Sequence, residues 1–449
     1  MLAIVSLSNK KNIGESAVRQ HKLLFFVFSF IAFVSSALAD DTDQTTIVHA
    51  GTLLATPGSA PTDRQSIVIR DGTILEIRDG YVQAGDISTS DAVEFIDLSD
   101  KFVLPGLLDA HVHFTLQVPR PEYARTSSSD YAIIAVANAK KTLLAGFTTV
   151  RDLGAMRAES IIAVRDGIER GDIVGPRIIA AGESISATAG HGDRRGLRSK
   201  IADVMLSAAM CDGPEDCRRA VRSQYKLGAD TIKVHATGGG ADPNGKQESP
   251  PEMFDDELRA IFETAHMLGL KVGAHAHGTQ GIKAAIRAGV DSVDHSTWLD
   301  DEAIDLYLEH GTYMVRTGYL QEFFLSRPSM PEAAKEERRA RIELMEVPLR
   351  DAIKRGVKMA MGTDAGIMPH GDNAKEFGYY VEMGMTPMQA IETGTVNAAT
   401  LLGLEDKIGR LTTGMKADIV APDENPLDDI SALQNITFVM KGGVTHLKK

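Results

Sequence analysis

The sequence has few cysteines and no excess of basic charge. Only Cys211 and Cys217 occur among the 449 residues, and their spacing is not that of a structural zinc knuckle. They either form a small-loop disulfide, which suits an exported protein, or remain two free thiols. Acidic residues outnumber basic ones, 61 to 48, which argues against a general nucleic-acid-binding protein because such proteins carry a basic patch.

Long apolar runs are also absent, except near the N-terminus. A basic region there precedes the apolar residues 23–38, and Ala37-Leu38-Ala39 forms a small-x-small cleavage signal. This order is typical of a secretory signal peptide. A membrane anchor is the alternative, but the run is short for a full span. We predict that residues 1–39 are removed and that the mature protein is soluble, without a membrane partner, and periplasmic or secreted. The long basic region leaves the true start codon open.

Both ends of the mature chain carry short β-rich runs. Residues 45–50, 66–70 and 73–77 have strand character, and Asp71-Gly72 is a strong hairpin signal between the last two. Similar runs lie at residues 417–421 and 436–440. We interpret these two ends as one small β-sandwich domain, built from residues 40–104 and 405–449.

The central residues 105–404 alternate between strand-like and helix-like stretches. Several helical stretches end in glycine, as at Gly146 and Gly269, which is a common left-handed stop. Eight candidate strands lie at residues 107–113, 148–152, 177–181, 231–235, 271–275, 292–295, 312–315 and 358–362. This α/β pattern predicts a (β/α)8 TIM barrel. An open doubly wound sheet is the alternative, but no GxGxxG follows the first strand.

The run Asp109-Ala110-His111-Val112-His113 ends the first of these strands. Histidines at i and i+2 of a strand point to the same side, so one metal ion can bind both imidazoles. Polar residues also follow later strands, and in a barrel such strand ends meet at one face. The candidate ligands at these strand ends are His111, His113, Lys233, His275, His295 and Asp364.

Four stretches of the sequence resemble the amidohydrolase superfamily with a binuclear metal centre. They are residues 103–113, 146–152, 274–278 and 362–366. They are most similar to the imidazolonepropionase-like, prolidase-like subgroup of metal-dependent hydrolases. That subgroup contains Xaa-Pro and Xaa-Arg/Lys dipeptidases and ochratoxinase-like amidases, and the resemblance covers nearly the whole mature chain.

The resemblance implies two divalent metal ions. One would be held by His111, His113 and Asp364, and the other by His275 and His295. Lys233 would bridge both ions after carboxylation by CO2, because a lysine ammonium has no lone pair of its own. Lys233 lies in an apolar strand, where an unpaired lysine is rare. We take Zn2+ as the default metal, although the oxygen ligands also admit manganese, cobalt or iron.

The resemblance also suggests catalytic roles. Asp364 would accept the proton of a metal-bound hydroxide as it attacks the carbonyl, and would pass it to the leaving amine. From its position after the third strand, His191 could polarise the carbonyl or hold substrate, or it could equally be an ordinary loop histidine. His277 is a second catalytic candidate, although either His275 or His277 could be the ligand.

Further polar residues are candidates for substrate binding. His235 and His370 could line the pocket, although each could equally be an ordinary loop histidine. A dipeptide-type substrate also needs a group that receives its free carboxylate, for which arginine is well suited. By position alone, the candidates for that role are Tyr319, Arg194, Arg195 and Arg198.

We therefore predict an exported hydrolase of an amide or peptide bond, similar to a dipeptidase or carboxypeptidase. The substrate class comes from the resemblance, since the residues alone indicate only metal-assisted hydrolysis. One alternative is a non-peptide amide or an N-acyl amino acid, as in ochratoxin-type substrates, and another is cyclic-amide or deaminase chemistry. Mononuclear deaminases usually lack the bridging lysine, so Lys233 favours hydrolysis of an amide. The expected partner is a small molecule or a dipeptide. The sequence leaves open whether the protein forms a homo-oligomer.

Overall fold

The computed structural model describes most of the chain after residue 44. The described ranges are residues 45–87, 92–117, 122–123, 125–193, 196, 198, 200–201, 207–239 and 248–449. The predicted signal peptide, Arg194 and Arg195 lie outside them. Within these ranges no helix is both long and apolar enough to cross a bilayer.

Fourteen strands form three sheets in the described residues. They are β1 (Thr45–Leu53), β2 (Thr62–Arg70), β3 (Thr73–Asp79), β4 (Val93–Pro105), β5 (Leu107–Val112), β6 (Phe147–Asp152), β7 (Arg177–Ala180), β8 (Thr231–His235), β9 (Lys271–Ala276), β10 (Ser292–His295), β11 (Tyr313–Val315), β12 (Ile419–Pro422), β13 (Ile436–Lys441) and β14 (Val444–Lys448). The largest sheet has the order β14-β13-β12-β4-β1-β2-β3.

The long strand β4 joins the two ends of the chain in this sheet. It runs parallel to β1, and its last residues Leu104 and Pro105 pair antiparallel with β12. Side chains alternate between the faces of a strand, and both faces of β2 are buried over residues 65–69. Ile67 packs in one apolar cluster, whereas its neighbour Val68 packs in another.

The central strands are parallel and lie in two sheets, β5-β6-β7 and β11-β10-β9-β8. Two segments outside these strands extend their hydrogen bonding. Beside β8, Ile185 donates to the carbonyl of Lys233 and accepts from the amide of His235. Residues 358–365 contact β11 through Met314, and they contact β5 at Ala110 and the residue just after β5, His113. This second segment contains the predicted eighth strand, and it connects the outer strand of one sheet to the outer strand of the other.

Helices follow most of the central strands along the chain. The α-helices are α1 (Ser128–Leu144), α2 (Ala158–Glu169), α3 (Pro214–Leu227), α4 (Asp255–Met267), α5 (Thr279–Arg287), α6 (Asp301–His310), α7 (Leu320–Leu325), α8 (Glu332–Lys354), α9 (Lys375–Glu382), α10 (Pro387–Glu392) and α11 (Ala398–Leu402). A π-helical turn, Thr393–Asn397, joins α10 to α11, and 3-10 turns lie at Ala84–Asp86 and Ile430–Gln434. A capping box of Ser127 and Asp130 starts α1.

Cys211 and Cys217 form a disulfide bond next to the start of α3. Their Cα atoms are 4.9 Å apart, and both residues are buried in the main apolar core. The structure therefore favours the disulfide over the two free thiols.

We expect loss of this disulfide to destabilise the protein. A double Cys211→Ser, Cys217→Ser variant should lose about 2 kcal/mol of unfolding free energy, because the bond closes only a short loop of the unfolded chain. Urea unfolding of both proteins measures the difference, and thiol titration of the denatured, unreduced wild type should detect no free thiol. Equal unfolding curves, or two titratable thiols, would contradict the bond.

Candidate metal centre

A cavity of about 680 Å³ lies at the carboxyl ends of the central strands. Its wall contains all six residues predicted as metal ligands: His111, His113, Lys233, His275, His295 and Asp364. The three histidines predicted for catalysis or substrate contact, His191, His235 and His277, also line it. Nine side chains from distant segments of the sequence therefore share one cavity.

His370 and Tyr319 do not line this cavity, although both are among the described residues. His370 lies behind β5, where its ring nitrogens contact Thr142 and the carbonyl of His113. Tyr319 precedes α7, and its backbone amide donates to buried Glu376. Direct substrate contact by His370 and Tyr319 therefore stays a prediction.

His111, His113 and Asp364 converge on one point. The Nε2 atoms of the two histidines are 3.1 Å apart. Asp364 Oδ1 lies 3.3 Å from His113 Nε2 and 3.7 Å from His111 Nε2. Two imidazole nitrogens and one carboxylate oxygen at such spacing form a donor set that a divalent cation can bind.

The ring orientation of the histidines is held by hydrogen bonds on their outer nitrogens. The contacts are His113 Nδ1 to Gly154 O at 2.8 Å, His275 Nε2 to Gly238 O at 3.1 Å and His295 Nδ1 to Thr317 Oγ1 at 2.8 Å. A carbonyl only accepts, so the proton resides on His113 Nδ1 and on His275 Nε2. In the neutral form of each ring the opposite nitrogen keeps its lone pair, which is the usual arrangement around a bound metal.

Two of the candidate ligands have an unusual backbone. His295 has φ of 73° and Asp364 has φ of 58°, which is the left-handed region that residues other than glycine rarely adopt. Each such residue stores on the order of 1–3 kcal/mol of strain, and such strain is concentrated at functional sites. Next to Asp364, a side chain at Gly362 would meet His111 Cβ at 2.9 Å, so this turn needs glycine there.

Asp294 is a site residue for which the sequence offers no prediction. It is fully buried, and its Oδ2 lies 3.2 Å from Lys233 Nζ. Its Oδ1 lies 3.3 Å from Arg151 Nη2 and 3.3 Å from His111 Nδ1. The available signal was a charged residue in an apolar strand, directly before His295.

Asp109, on β5, connects this strand to the turn that carries Asp364. Its carboxylate accepts from Thr363 Oγ1 at 2.6 Å, from Asn373 Nδ2 at 2.8 Å and from the amide of His111 at 3.0 Å. Burial raises its pKa to about 6, although these hydrogen bonds oppose the shift. This network fixes Asp364 relative to His111 and His113.

Burial controls the protonation of the site. It lowers the pKa of His111 to about 4 and of His277 to about 3. Burial, together with neighbouring histidines, lowers the pKa of His275 and His295 well below the ordinary value. Burial also lowers the pKa of His113, but the hydrogen bond to Asp364 and the negative charge of Asp364 outweigh it. The pKa of His113 is therefore raised overall. Most of these imidazoles are therefore neutral and keep a lone pair for a metal.

Among the residues that the structure describes, three overlapping groups of side chains are arranged closely enough to hold a metal ion. In each group the ligand atoms lie within 4.8 Å of one another. The groups are His111, His295 and Asp364; His275, His277 and His295; and His191, His235 and His275. Because His275 and His277 share a group, the geometry leaves open which of them binds and which contacts substrate.

Comparison with known proteins identifies the class. The chain belongs to the amidohydrolase family, whose pattern matches residues 102–445. Ochratoxinase from Aspergillus niger is 33% identical over 437 residues, which are 90% of this chain and 87% of that protein. Imidazolonepropionase from Caldanaerobacter subterraneus is 32% identical over 183 residues, 39% of this chain and 40% of that enzyme.

Solved structures agree with this assignment. A Xaa-Pro dipeptidase with bound methionine in its active site has a TM-score of 0.80 and 38% identity, covering 90% of this chain and all of that one. The structure of A. niger ochratoxinase has a TM-score of 0.79 and 30% identity, covering 91% and 96%. The protein is therefore an enzyme, a metal-dependent hydrolase that acts on C–N bonds. The fold of its neighbours is a TIM barrel with a small additional domain.

We expect Thr317 to support metal binding through His295. A Thr317→Val variant keeps the side-chain shape but loses the 2.8 Å contact to Nδ1, so metal affinity should fall about 10- to 100-fold. Competition with a chelator, followed by elemental analysis, measures it. Thr312→Val is the matched control, because Thr312 is equally buried just before β11 and bonds only a backbone carbonyl. Identical competition curves for Thr317→Val and the wild type would exclude the role.

Proposed function

We propose that this enzyme is an exported, binuclear metal-dependent amidohydrolase that cleaves a peptide or amide bond next to an amino acid, as a dipeptidase or carboxypeptidase does. The observation that carries the proposal is the convergence of His111, His113 and Asp364 in the same cavity as Lys233 and the other histidines. Such a donor set is suited to holding two cations beside a bound carbonyl.

In this proposal His111, His113 and Asp364 hold one ion, and His275 and His295 hold the other. Zn2+ is the default, since most of the ligand atoms are imidazole nitrogens. When bound, the ions supply polarisation of the scissile carbonyl and activation of a water molecule.

Lys233 is proposed to bridge the two ions as a carboxylated lysine. Its side chain is 1% exposed, and burial lowers its pKa, although Asp294 opposes the shift. A lowered pKa favours the neutral amine, which is the form that adds to CO2 and loses a proton to give the carbamate. The anionic carbamate then provides oxygen ligands that the ammonium lacks.

Asp364 is proposed to carry the proton. Burial raises its pKa, but the hydrogen bond from His113 and the charges of His111 and His113 lower it overall. The carboxylate therefore stays ionised and can accept a proton from the attacking water, then release it to the leaving amine. His191 and His277 line the cavity, where they could contact the carbonyl, and His235 is proposed to contact the substrate.

The proposal also covers the architecture of the two domains and the export of the protein. Contacts of residues 358–365 with both β11 and β5, and of Ile185 with β8, support a closed (β/α)8 barrel of residues 105–404. The sheet shared by both ends supports a small domain of residues 40–104 and 405–449. The Cys211–Cys217 disulfide supports export after cleavage at residue 39, because disulfides persist in oxidising compartments.

A second candidate is hydrolysis of a non-peptide amide of the ochratoxin type. The observation that favours it is the 33% identity to ochratoxinase over 90% of this chain. Both candidates use the same cavity and the same attack on a carbonyl, so they differ only in the acyl group of the substrate. Cyclic-amide or deaminase chemistry is less favoured, because Lys233 lies in the metal cavity.

Substitution of Lys233 tests the bridge. We expect Lys233→Ala to retain at most one of the two metal equivalents, since the shared ligand is gone. Lys233→Glu should keep more metal, because a carboxylate replaces the carbamate oxygens. Lys283→Ala is a control at another buried lysine, which is paired with Asp300. Elemental analysis of dialysed protein measures the content, and two equivalents in Lys233→Ala would overturn the bridge.

Turnover tests the reaction itself. The chain from residue 40, loaded with zinc, should hydrolyse at least one of Xaa-Pro, Xaa-Phe, Xaa-Met and Xaa-Arg dipeptides or ochratoxin. Asp364→Asn should lower kcat by about 10²- to 10⁴-fold, since the proton carrier is lost. Its metal content is measured alongside, which separates the loss of a ligand from the loss of a base. A metal-loaded wild type that hydrolyses none of these amides would refute the proposed function.

A further inference from the structure

One wall of the cavity carries a group of arginines that the metal chemistry does not use. Arg338 and Arg341 on α8 and Arg316 after β11 all line the cavity. Arg316 is 4% exposed, and its Nη1 donates to the carbonyl of His295 at 2.5 Å. The arginine wall, defined as Arg316, Arg338 and Arg341, therefore extends from the metal ligands outward along α8.

The positive charge of Arg338 is poorly compensated. The polar contact of Arg338 is with a neutral group, from Nη2 to Gln321 Oε1 at 2.8 Å, and its Nε finds no partner in the part of the chain that the structure describes. Arg341 reaches Glu337 at 3.4 Å, an exposed residue on the same helix. Burial, then the charges of Arg341 and Arg327, lower the pKa of Arg338. A half-buried cation without a counter-charge is unfavourable, and a bound anion would relieve that cost.

Apolar side chains lie beside these charges. Leu320, Phe324 and Met345 line the same cavity. The guanidinium of Arg338 stacks 4.6 Å from the centre of the Phe324 ring, which holds the fork of its nitrogens in place. The wall thus offers a planar cation next to an apolar surface, which matches an amino acid with a free carboxylate and an apolar side chain.

We propose that Arg338 and Arg341 bind the free carboxylate of the amino acid that leaves as the amine, and that Leu320, Phe324 and Met345 select an apolar or aromatic side chain on it. The inference rests on the proposed function and specifies its substrate class: N-acyl or aminoacyl derivatives of apolar amino acids. Guanidinium groups bind carboxylates in a bidentate manner. A lysine or arginine side chain at the same place would meet charges of its own sign and bind poorly.

Steady-state kinetics with matched substrates test the proposal. The substrates are Ala-Phe, the same dipeptide with a C-terminal amide, and Ala-Arg. For the wild type we expect a KM for Ala-Phe at least about tenfold below that of the other two, because a charge-assisted bond is lost or a like charge is met. Arg338→Gln should raise KM for Ala-Phe about 10-fold or more and leave kcat nearly unchanged, while KM for the amide should not move.

Three further variants make the result specific. Arg341→Gln should act in the same direction, and Arg338→Lys should recover part of the affinity because the charge remains. Arg350→Gln is the control, since Arg350 lies on the same helix, contacts Glu346 and is not part of the cavity wall. An equal rise in KM for Ala-Phe and its amide in Arg338→Gln, or a wild type that prefers Ala-Arg, would overturn the proposal.

A binding measurement separates this inference from the proposed function. Calorimetry of the zinc-loaded wild type should detect free L-phenylalanine and not L-phenylalaninamide, and Arg338→Gln should lose that binding. If no amide is hydrolysed but this selective binding is present and depends on Arg338, the proposed reaction fails and the carboxylate site stands. Dipeptides and their amides could instead be hydrolysed equally well, with calorimetry finding no difference between L-phenylalanine and L-phenylalaninamide. In that case the reaction stands and the carboxylate site fails.

Discussion

The metal site depends on one buried carboxylate, that of Asp294. It contacts Lys233, Arg151 and His111, which lie on three other strands. Without Asp294 the buried guanidinium of Arg151 would lose its counter-charge, and breaking a buried pair in this way costs about 3–5 kcal/mol. The contacts of Asp294 therefore fix the relative positions of β5, β6, β8 and β10 at the end where the cavity lies. The placement of the imidazoles follows from this constraint.

Much of the site is predictable from sequence because parallel strands end at a shared edge. The spacing of His111 and His113 predicts that both side chains lie on one face of the strand. His295 ends β10 and Lys233 lies two residues before the end of β8, so both point to the same end of the parallel strands. The structure brings these residues into one cavity. The alternation of strands and helices likewise predicts the parallel sheets of the α/β centre, and the resemblance to amidohydrolases agrees with the family match over residues 102–445.

Other parts of the site could not be predicted from sequence, because they depend on side-chain contacts between distant segments of the chain. Asp109 bonds Thr363 and Asn373, and no local pattern shows that these side chains meet. His370 follows the turn that carries Asp364, yet it lies behind β5 because its ring contacts Thr142 and the carbonyl of His113. The arginine wall is similar: in sequence, the charged stretch around Arg338 is typical of a solvated helix face, and only the placement of α8 brings Arg338 and Arg341 to the cavity.

The pairing of β4 has a consequence for the order in which the protein folds. Its first half pairs with β1, but its last residues find their partner in β12, near the end of the chain. Synthesis on the ribosome delivers the N-terminal strands before their distant partners emerge. Late-forming contacts of this kind slow folding and leave apolar strand edges unpaired in the meantime. Until its last strands are made, the nascent polypeptide is therefore vulnerable to aggregation and to chaperone-dependent delay.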